Sequence, residues 1–219
     1  MIYTITKKGN YGVIEPIPDG SLSRTLDKYL QYEKKGIEFM PNRMWGIVRF
    51  YKKGTFPWGL INKVTKIFDK YCEAKGDTYN IAYYPKNYFS KLNAVDDIKG
   101  LRDYQKEAVK TLIQHNGGIL VMPCGAGKTV TMIEYLKLMN LKALVLCPTK
   151  DIRAQWNNYT LDILTASTYQ NPQLKKQEFI DKYEILIMDE CHHAPCNTLY
   201  KLSMRTNTKT ILIGCSATV

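Results

Sequence analysis

The sequence predicts an α/β protein in which a small, basic α+β domain precedes a domain built on a parallel sheet. Short apolar segments alternate with helical patterns after Leu101, a glycine-rich loop follows the first of these segments, and basic residues are concentrated in the first 100 positions. The chain has 219 residues, of which 45% are hydrophobic and 23% charged. This composition excludes a collagen-like, low-complexity or wholly disordered polypeptide. At roughly 150 residues per domain, the length suits one large domain or two small ones.

The first domain is assigned to residues 1–85. Alternating apolar residues predict strands at 2–6 and 11–15 around a Gly9-Asn10 turn, and a helix is expected at 23–34. This first part therefore begins as a strand pair followed by a helix.

A second strand-and-helix unit follows within the same domain. Residues 45–51 alternate like a half-buried strand, and residues 78–84 form a further strand. Between them, apolar side chains recur at helical spacing until Gly76 ends the helix. These side chains are Leu60, Ile61, Val64, Ile67, Phe68 and Tyr71. Periodicity then fades, so residues 86–100 are expected to form a linker.

The second domain is assigned to residues 101–219. Its apolar segments are separated by helical patterns, an alternation typical of a parallel sheet that is covered on both faces. The predicted strands are 118–122, 142–147, 163–167, 184–188 and 209–213. Ligands of such open sheets bind beyond the carboxyl ends of the strands, so the functional residues are expected there.

The charge is positive and unevenly distributed. With 31 basic and 20 acidic residues, the formal net charge is +11 and the pI is near 9.2. Residues 34–75 alone hold ten basic and three acidic residues. Such an excess favours a polyanionic partner, and the candidate nucleic-acid contacts are Lys52, Lys53, Lys63 and Lys66. The alternative is a solvated basic face over a small hydrophobic core.

Sequence features also bear on the compartment. The longest apolar runs fall far short of the roughly 20 residues that a bilayer requires. The N-terminus lacks a basic flank followed by a long apolar stretch. Six scattered cysteines form no dense disulfide framework. We therefore expect a cytoplasmic protein with reduced thiols and no membrane partner.

A phosphate-binding loop follows the predicted strand at 118–122. Its glycines allow successive backbone N–H groups and a helix N-terminus to point at an anion. Lys128 adds a positive charge at the β and γ phosphates, and the Thr129 hydroxyl can bind magnesium. The residues expected to bind the nucleotide are Pro123, Cys124, Gly125, Ala126, Gly127, Lys128 and Thr129. The alternative is a glycine-rich turn between a strand and a helix.

Two adjacent carboxylates, Asp189 and Glu190, follow the predicted strand at 184–188. Such a pair is costly unless a cation or water occupies it. Asp189 is placed to hold magnesium, and Glu190 to orient and deprotonate the water that attacks a γ-phosphate. Alone, the pair has the alternative of a solvated acidic turn. It becomes a catalytic candidate because it and the phosphate loop should converge on one edge of the sheet.

Cys191, His192, His193 and Cys196 raise the alternative of a zinc site. Their spacing is poor for a structural site, because Cys191 and His192 are immediate neighbours and a second pair of ligands is missing. We therefore do not expect these four residues to bind a metal.

Six segments resemble, in order, the motifs of superfamily 2 helicases. They are 101–105, 123–129, 147–149 with 155–156, 168–170, 189–192 and 216–218. The resemblance covers most of residues 101–219 and implies a RecA-like P-loop domain that uses ATP and magnesium. Taken singly, each segment has a plainer interpretation, such as a core role for Trp156.

The resemblance implies a role for individual residues. These roles are adenine recognition for Arg102 and Gln105, contacts to the nucleic-acid backbone for Thr149 and Thr168, and coupling of nucleotide state to domain motion for His192, Ser216 and Thr218.

Among subfamilies, the 123–129 loop and the 189–192 segment resemble the UvsW and XPB branch. Residues 39–41, 44–46, 49–50 and 56–60 resemble the small domain that precedes the motor in UvsW-like phage helicases. That resemblance implies DNA as the partner, engaged by the basic first domain. It also implies a second RecA-like motor domain beyond these residues. Its arginine fingers would complete the ATP site, so this chain alone should show weak or undetectable ATPase activity.

The resemblance implies that this chain is the N-terminal half of an ATP-dependent DNA helicase or translocase. Such an enzyme would remodel branched or duplex DNA in recombination or repair. The alternative is a non-catalytic ATP- and nucleic-acid-binding fragment that needs a second motor domain for turnover. A phosphoryl-transferring kinase would use the same loop, but gives no reason for the 189–192 and 216–218 segments.

Overall fold

A computed structural model describes residues 1–8, 11–33, 42, 44, 47–82, 88–193, 197–207 and 209–218, without the side chains of residues 193, 197, 198, 200 and 204. The chain divides into two compact units, residues 1–84 and 85–219. Within the described ranges, no helix has both the length and the apolar character needed to span a bilayer.

The first unit is an α+β unit built on a four-stranded sheet. Its elements are β1 (Ile2–Lys8), β2 (Tyr11–Glu15), α1 (Gly20–Tyr29), β3 (Gln31–Glu33), β4 (Ile47–Arg49), β5 (Thr55–Pro57), α2 (Ile61–Lys75) and β6 (Thr78–Ala82). The sheet order is β5-β2-β1-β6, with β1 antiparallel to β2 and parallel to β6. β3 and β4 form a separate antiparallel pair.

Sequence periodicity explains the core of this unit. Alternate residues of β1 point to one face of the sheet, which buries Tyr3 and Ile5. In α2, the spacing of four places Val64 and Phe68 on one buried face. The helix ends at Gly76, whose φ of 69° lies in the left-handed region that a residue without Cβ adopts at little cost. The predicted helix before Gly76 is confirmed.

The predicted helix at 23–34 is wrong at both ends. α1 starts three residues earlier, and it stops at Tyr29 because Leu30 has the non-helical angles φ −101° and ψ 48°. The following residues, Gln31 to Glu33, pair instead with β4. This pairing partner lies far along the chain, so local periodicity cannot reveal it.

Two further strands of the first unit differ from expectation. The strand predicted at 45–51 is the shorter β4, and residues 45 and 46 lie outside the described residues. β5 was not predicted, since it has only three residues and contains Pro57. It forms because Lys53 and Gly54 adopt positive φ angles in a tight turn that lays Thr55 beside Val13 of β2.

The second unit is built on a five-stranded, fully parallel sheet of order β7-β11-β10-β8-β9. Its elements are α3 (Asn93–Asp96), α4 (Asp103–His115), β7 (Gly117–Val121), α5 (Lys128–Met139), β8 (Ala143–Cys147), α6 (Lys150–Asn157), β9 (Leu164–Thr168), α7 (Gln177–Ile180), β10 (Ile185–Met188), α8 (Asn197–Arg205) and β11 (Ile211–Ser216). The predicted α/β class and all five predicted strands are confirmed.

The fifth strand is displaced from its predicted range of 209–213. Thr210 donates its backbone N–H to Asn207 within a turn, so the strand starts only at Ile211. It then pairs with the whole of β7 and continues to Ser216. This extension places Ser216 at the carboxyl end of the strand.

Both faces of the parallel sheet are covered. In β8, Val145 packs into one hydrophobic cluster and its neighbours Leu144 and Leu146 pack into another. β10 alternates in the same way. Alternate residues of a strand face opposite sides, so the two clusters lie on opposite faces of the sheet.

The segment expected as a linker carries structure of its own. Residues 89–91 form a 3-10 turn and α3 follows. Val95 in α3 is fully buried in the same cluster as Val109 of α4. The described part of the 86–100 segment is therefore packed within the second unit, because its apolar residues cover the helix that follows.

Candidate nucleotide-binding site

The candidate site lies at the carboxyl edge of the parallel sheet. The phosphate loop follows β7, the Asp189-Glu190 pair follows β10, and β11, which ends at Ser216, lies between those two strands. Thr149 follows β8 and Thr168 ends β9. Because all five strands are parallel, the candidate residues that follow or end these strands fall on one edge of the sheet.

The phosphate loop has the backbone geometry that an anion site requires. Gly125 and Gly127 have φ angles of 78° and 83°, which disfavour residues with a Cβ. Gly127 is the N-cap of α5, and Lys128 is the first residue of that helix. The free N–H groups of a helix N-terminus and its dipole favour a bound phosphate. Thr129 is half-buried in the first helical turn.

Gln105 braces this loop from α4. Its side chain is 5% exposed, and its Nε2 donates to the carbonyls of Ala126 and Gly127, each at 3.3 Å. Its Oε1 accepts from the backbone N–H of Arg102 at 2.9 Å. Adenine recognition by Arg102 and Gln105 stays a prediction, and the Gln105 side chain contacts the phosphate loop through its backbone carbonyls.

Tyr104 is a neighbour that sequence reasoning did not single out. Its hydroxyl donates to the carbonyl of Ala126 at 2.9 Å and lies 3.2 Å from a guanidinium nitrogen of Arg102. The side chain is 45% exposed. Its position between two motif residues in sequence was a signal for a role beside the loop.

Lys128 and Glu190 meet at the centre of the site. The Lys128 Nζ lies 3.3 Å from the Glu190 Oε1, and the two side chains are 14% and 25% exposed. Glu190 has a φ of 50°, which is uncommon for a non-glycine residue and costs roughly 1 kcal/mol or more. This strained conformation holds the carboxylate where it faces the loop lysine.

A chain of polar contacts extends from this pair towards β11. The other oxygen of Glu190, Oε2, lies 3.3 Å from the His192 Nδ1. That nitrogen is also 3.2 Å from the Ser216 Oγ, which accepts the backbone N–H of Thr218 at 3.2 Å. The structure thus brings together the three residues expected to couple nucleotide state to motion.

Asp189 is buried and hydrogen-bonded on both carboxylate oxygens. Its side chain is 5% exposed. The Oδ2 atom accepts the Trp156 indole N–H at 2.7 Å, and Oδ1 accepts the backbone N–H of Glu190 at 3.0 Å. The Tyr169 hydroxyl donates to the backbone carbonyl of Asp189. From the sequence, Trp156 belonged to the helicase-like segment 155–156 with a core role as the alternative, and its contact with Asp189 was not predicted.

The residues present suit a magnesium ion. Thr129, in the first turn of α5, and Asp189, which follows β10, carry hard oxygen atoms at the same sheet edge, and Mg²⁺ is usually held by one or two carboxylates together with substrate phosphates. Among the residues that the structure describes, no group of three His, Cys, Asp or Glu side chains is arranged to hold a metal. Cys196 and the His193 side chain, considered for zinc, lie outside that description.

Burial raises the pKa values of three cysteine thiols near the site. Burial raises the pKa of Cys147, at the end of β8, to about 12, with a further increase from the nearby charge of Asp189. The pKa of Cys215 in β11 is also raised by burial, as is that of Cys191. Cys124, within the phosphate loop, is exposed.

The two threonines expected to contact nucleic acid lie at neighbouring strand ends. Thr149 is exposed and caps α6, where its Oγ1 accepts the backbone N–H of Ile152 at 3.3 Å. Thr168 is half-buried and pairs in register with Cys147, two residues before Thr149. The structure therefore groups both threonines at one side of the sheet edge.

The four lysines expected to bind nucleic acid fall into two groups in the first unit. Lys63 and Lys66 line a groove of about 690 Å³ between α1 and α2, together with Lys70, Tyr29 and Tyr71. Lys52 and Lys53 are exposed in the turn before β5 and do not line that groove. The UvsW-like residues 39–41, 45 and 46 lie outside the described residues. Phe56 is buried.

A glycine-rich loop after one strand and an acidic pair after another, on a parallel sheet, define a P-loop nucleotide-binding domain. The family described as "Type III restriction enzyme, res subunit" matches residues 98–170 and 157–219, and the chain belongs to that family. This match covers the whole described sheet of the second unit.

Curated proteins and solved structures agree with this assignment. The chain is 36% identical over 112 residues to the DNA 3'-5' translocase XPB2 of Sulfurisphaera tokodaii. The aligned segment covers 43% of this chain and 26% of that relative. The fold is similar to the UvsW helicase of bacteriophage T4, with a TM-score of 0.73, 17% identity, and coverage of 99% and 92% of the two chains. A second T4 UvsW structure gives a TM-score of 0.75 at 18% identity, covering 99% and 53%. The resemblance to the UvsW and XPB branch of superfamily 2 helicases is confirmed.

Proposed function

We propose that this chain is the N-terminal part of an ATP-dependent DNA helicase or translocase. The observation that carries the proposal is the contact between Lys128 of the phosphate loop and Glu190 after β10. This contact brings the Lys128 ammonium group, expected at the β and γ phosphates, next to the Glu190 carboxylate, expected to act as the base for the attacking water. The relative named as a DNA translocase supports DNA as the partner. The matched segment spans only 26% of that relative, so the activity of the whole protein is part of the proposal.

The proposed reaction is in-line attack of water on the γ-phosphate. The bond to the oxygen that bridges to ADP breaks as the bond to water forms. Backbone N–H groups at the start of α5 would hold the phosphate oxygens, and Lys128 would balance their charge. Glu190 would accept the proton of the attacking water. Magnesium, when bound through Thr129 and Asp189, supplies further charge neutralisation at the β and γ phosphates.

The contacts of Glu190 suggest how hydrolysis would be sensed. His192 touches both Glu190 and Ser216, and Ser216 in turn fixes the backbone of Thr218. A change in the position of Glu190 would therefore alter the segment that follows β11. We propose that this chain of contacts passes nucleotide state to the residues after the sheet.

DNA would be bound mainly through its phosphates. The Thr149 and Thr168 edge of the second unit and the Lys63 and Lys66 groove of the first unit are the proposed contacts. Binding of this kind depends little on sequence and weakens steeply with salt. An affinity that is constant between about 50 and 200 mM salt would contradict it.

Two measurements test the proposal. Nucleotide binding is measured by calorimetry on this chain, where wild type should bind ATP with magnesium and Lys128→Ala should bind it about 10-fold to 100-fold more weakly. Hydrolysis is then measured with DNA, first for this chain alone and then with a second motor domain supplied in trans. We expect turnover in the second mixture. Nucleotide and DNA binding with no turnover in either mixture would favour the alternative, a non-catalytic binding fragment.

A further inference from the structure

Trp156 contacts the candidate metal carboxylate directly. Trp156 is 1% exposed, and its indole Nε1–H donates at 2.7 Å to the Oδ2 of Asp189, a residue that is itself 5% exposed. A buried indole N–H needs an acceptor, and this one takes an ionisable group of the proposed site rather than a backbone carbonyl. The role of Trp156 is therefore wider than packing.

The hydrogen bonds of Asp189 fix how its carboxylate is turned. The terminal torsion of an aspartate is broad and roughly two-fold, so orientation must come from partners. Trp156 holds Oδ2 and the backbone N–H of Glu190 holds Oδ1. Each carboxylate oxygen has two lone pairs, so each retains capacity for a metal ion or a metal-bound water.

The partners of Asp189 belong to the elements that carry the candidate nucleic-acid residues. Trp156 lies in the last turn of α6, and Thr149 caps the first turn of the same helix. Tyr169, which donates to the Asp189 carbonyl, directly follows Thr168. The orientation of Asp189 is thus linked through one short helix and one strand end to both threonines.

We propose that Trp156 is a positioning residue that orients the Asp189 carboxylate for the divalent cation and ties that orientation to α6. The inference rests on the proposed function and deepens it, because it names what holds the metal carboxylate in place. Removing the indole N–H frees the torsion of Asp189 and weakens the binding of the cation. Removing partners that orient metal ligands typically lowers metal affinity by roughly 10-fold to 100-fold.

The test uses this chain and two changes at position 156. Trp156→Phe removes the donor and part of the ring. Replacement of Trp156 by 3-benzothienylalanine puts sulfur in place of the N–H and keeps the ring size, so packing is retained. Leu174→Ala, in the cluster on the other sheet face, is the control for loss of stability alone. Melting temperatures of all variants are recorded.

The readout is the binding of a nonhydrolysable ATP analogue by calorimetry, with EDTA and over a series of Mg²⁺ concentrations. For both Trp156 variants we expect the Mg²⁺ concentration for half-maximal enhancement to rise by roughly 10-fold or more. Their affinity in EDTA should equal that of wild type. Leu174→Ala should leave the Mg²⁺ dependence unchanged.

A spectroscopic signal separates positioning from packing. With the nucleotide analogue bound, added Mg²⁺ should shift the indole ¹⁵N–¹H resonance of Trp156, identified by its loss in Trp156→Phe. An unchanged Mg²⁺ dependence in the benzothienyl variant, with wild type still dependent on Mg²⁺, would overturn the inference. A wild-type chain that binds no nucleotide under any condition would instead overturn the proposed function, and this inference with it.

Discussion

The Nζ of Lys128 lies 3.3 Å from the Oε1 of Glu190, although 62 positions separate the two residues in the chain. Lys128 begins the helix after β7, and Glu190 follows β10, so the parallel sheet is what brings them together. A phosphate at the loop would compete with Glu190 for the lysine. Nucleotide binding would then free the carboxylate to contact water, and Lys128 would serve both nucleotide binding and catalysis.

Loss of the loop lysine should weaken nucleotide binding selectively. We expect Lys128→Ala to lower ATP affinity by about 10-fold to 100-fold, the equivalent of one charge-assisted contact of roughly 1.4–2.8 kcal/mol. Lys137→Ala, on the exposed side of the same helix, is the matched control. DNA binding through residues 34–75 should survive in both variants. Unchanged ATP affinity in Lys128→Ala would refute the loop assignment.

Glu190 should be needed for turnover but not for nucleotide binding. For Glu190→Gln, assayed with DNA and a second motor domain, we expect the hydrolysis rate to fall by roughly 10²-fold to 10⁴-fold, because the general base is lost. Nucleotide affinity measured by calorimetry should not fall, and it should rise if the Glu190 carboxylate competes with the phosphate for Lys128. Glu178→Gln, at an exposed position of α7, should retain full activity. Equal hydrolysis rates in the two variants would remove Glu190 from the mechanism.

The loop backbone should not tolerate a side chain at Gly127. Its φ is 83°, and an added Cβ would lie 2.5 Å from the Gln105 Nε2. We expect Gly127→Ala to lower the free energy of unfolding by roughly 1–3 kcal/mol and to abolish nucleotide binding. Gly59→Ala, where no atom lies within 4 Å of an added Cβ, is the control. Thermal melts and calorimetry check both, and normal binding by Gly127→Ala would contradict the loop geometry.

The cysteines should differ in reactivity with iodoacetamide. Only the thiolate reacts, and burial raises the pKa of Cys147 to about 12, so at pH 8 this thiol stays protonated and unreactive. Its reactivity should increase only as the pH rises towards that value or the protein unfolds. Cys124 is exposed in the loop and should be labelled first, more slowly when nucleotide is bound. Peptide mass spectrometry measures the order, and labelling of Cys147 as fast as Cys124 in the folded protein would contradict it.

Charge neutralisation should separate the two lysine groups. Because Lys63 and Lys66 share a groove, their double change to Gln should reduce the slope of log affinity against log salt by about two for duplex DNA. The same change at Lys52 and Lys53 tests the turn before β5. Lys175 and Lys182, exposed in the second unit, serve as the control pair. Should DNA affinity survive in both variants, the basic stretch is only a solvated surface.

Hydrophobic periodicity and motif spacing were sufficient to predict the parallel sheet and the sheet edge on which the candidate site lies. The strand before the phosphate loop and the strand before Asp189 are both short apolar runs whose signal is local. β3 and β5 were not predicted, because each has three residues and depends on a partner elsewhere in the chain. For the same reason, no pattern linked the Trp156 indole to Asp189, a contact across 33 positions between side chains of different elements.

A structure with a nonhydrolysable ATP analogue and Mn²⁺ in place of Mg²⁺ tests the central claim most directly, because the anomalous signal of manganese locates the metal. We expect the γ-phosphate within hydrogen-bond distance of the Lys128 Nζ, and the metal beside the Thr129 hydroxyl and the Asp189 carboxylate, directly or through one water. A nucleotide bound away from the loop, or Lys128 and Asp189 facing separate pockets, would contradict the account.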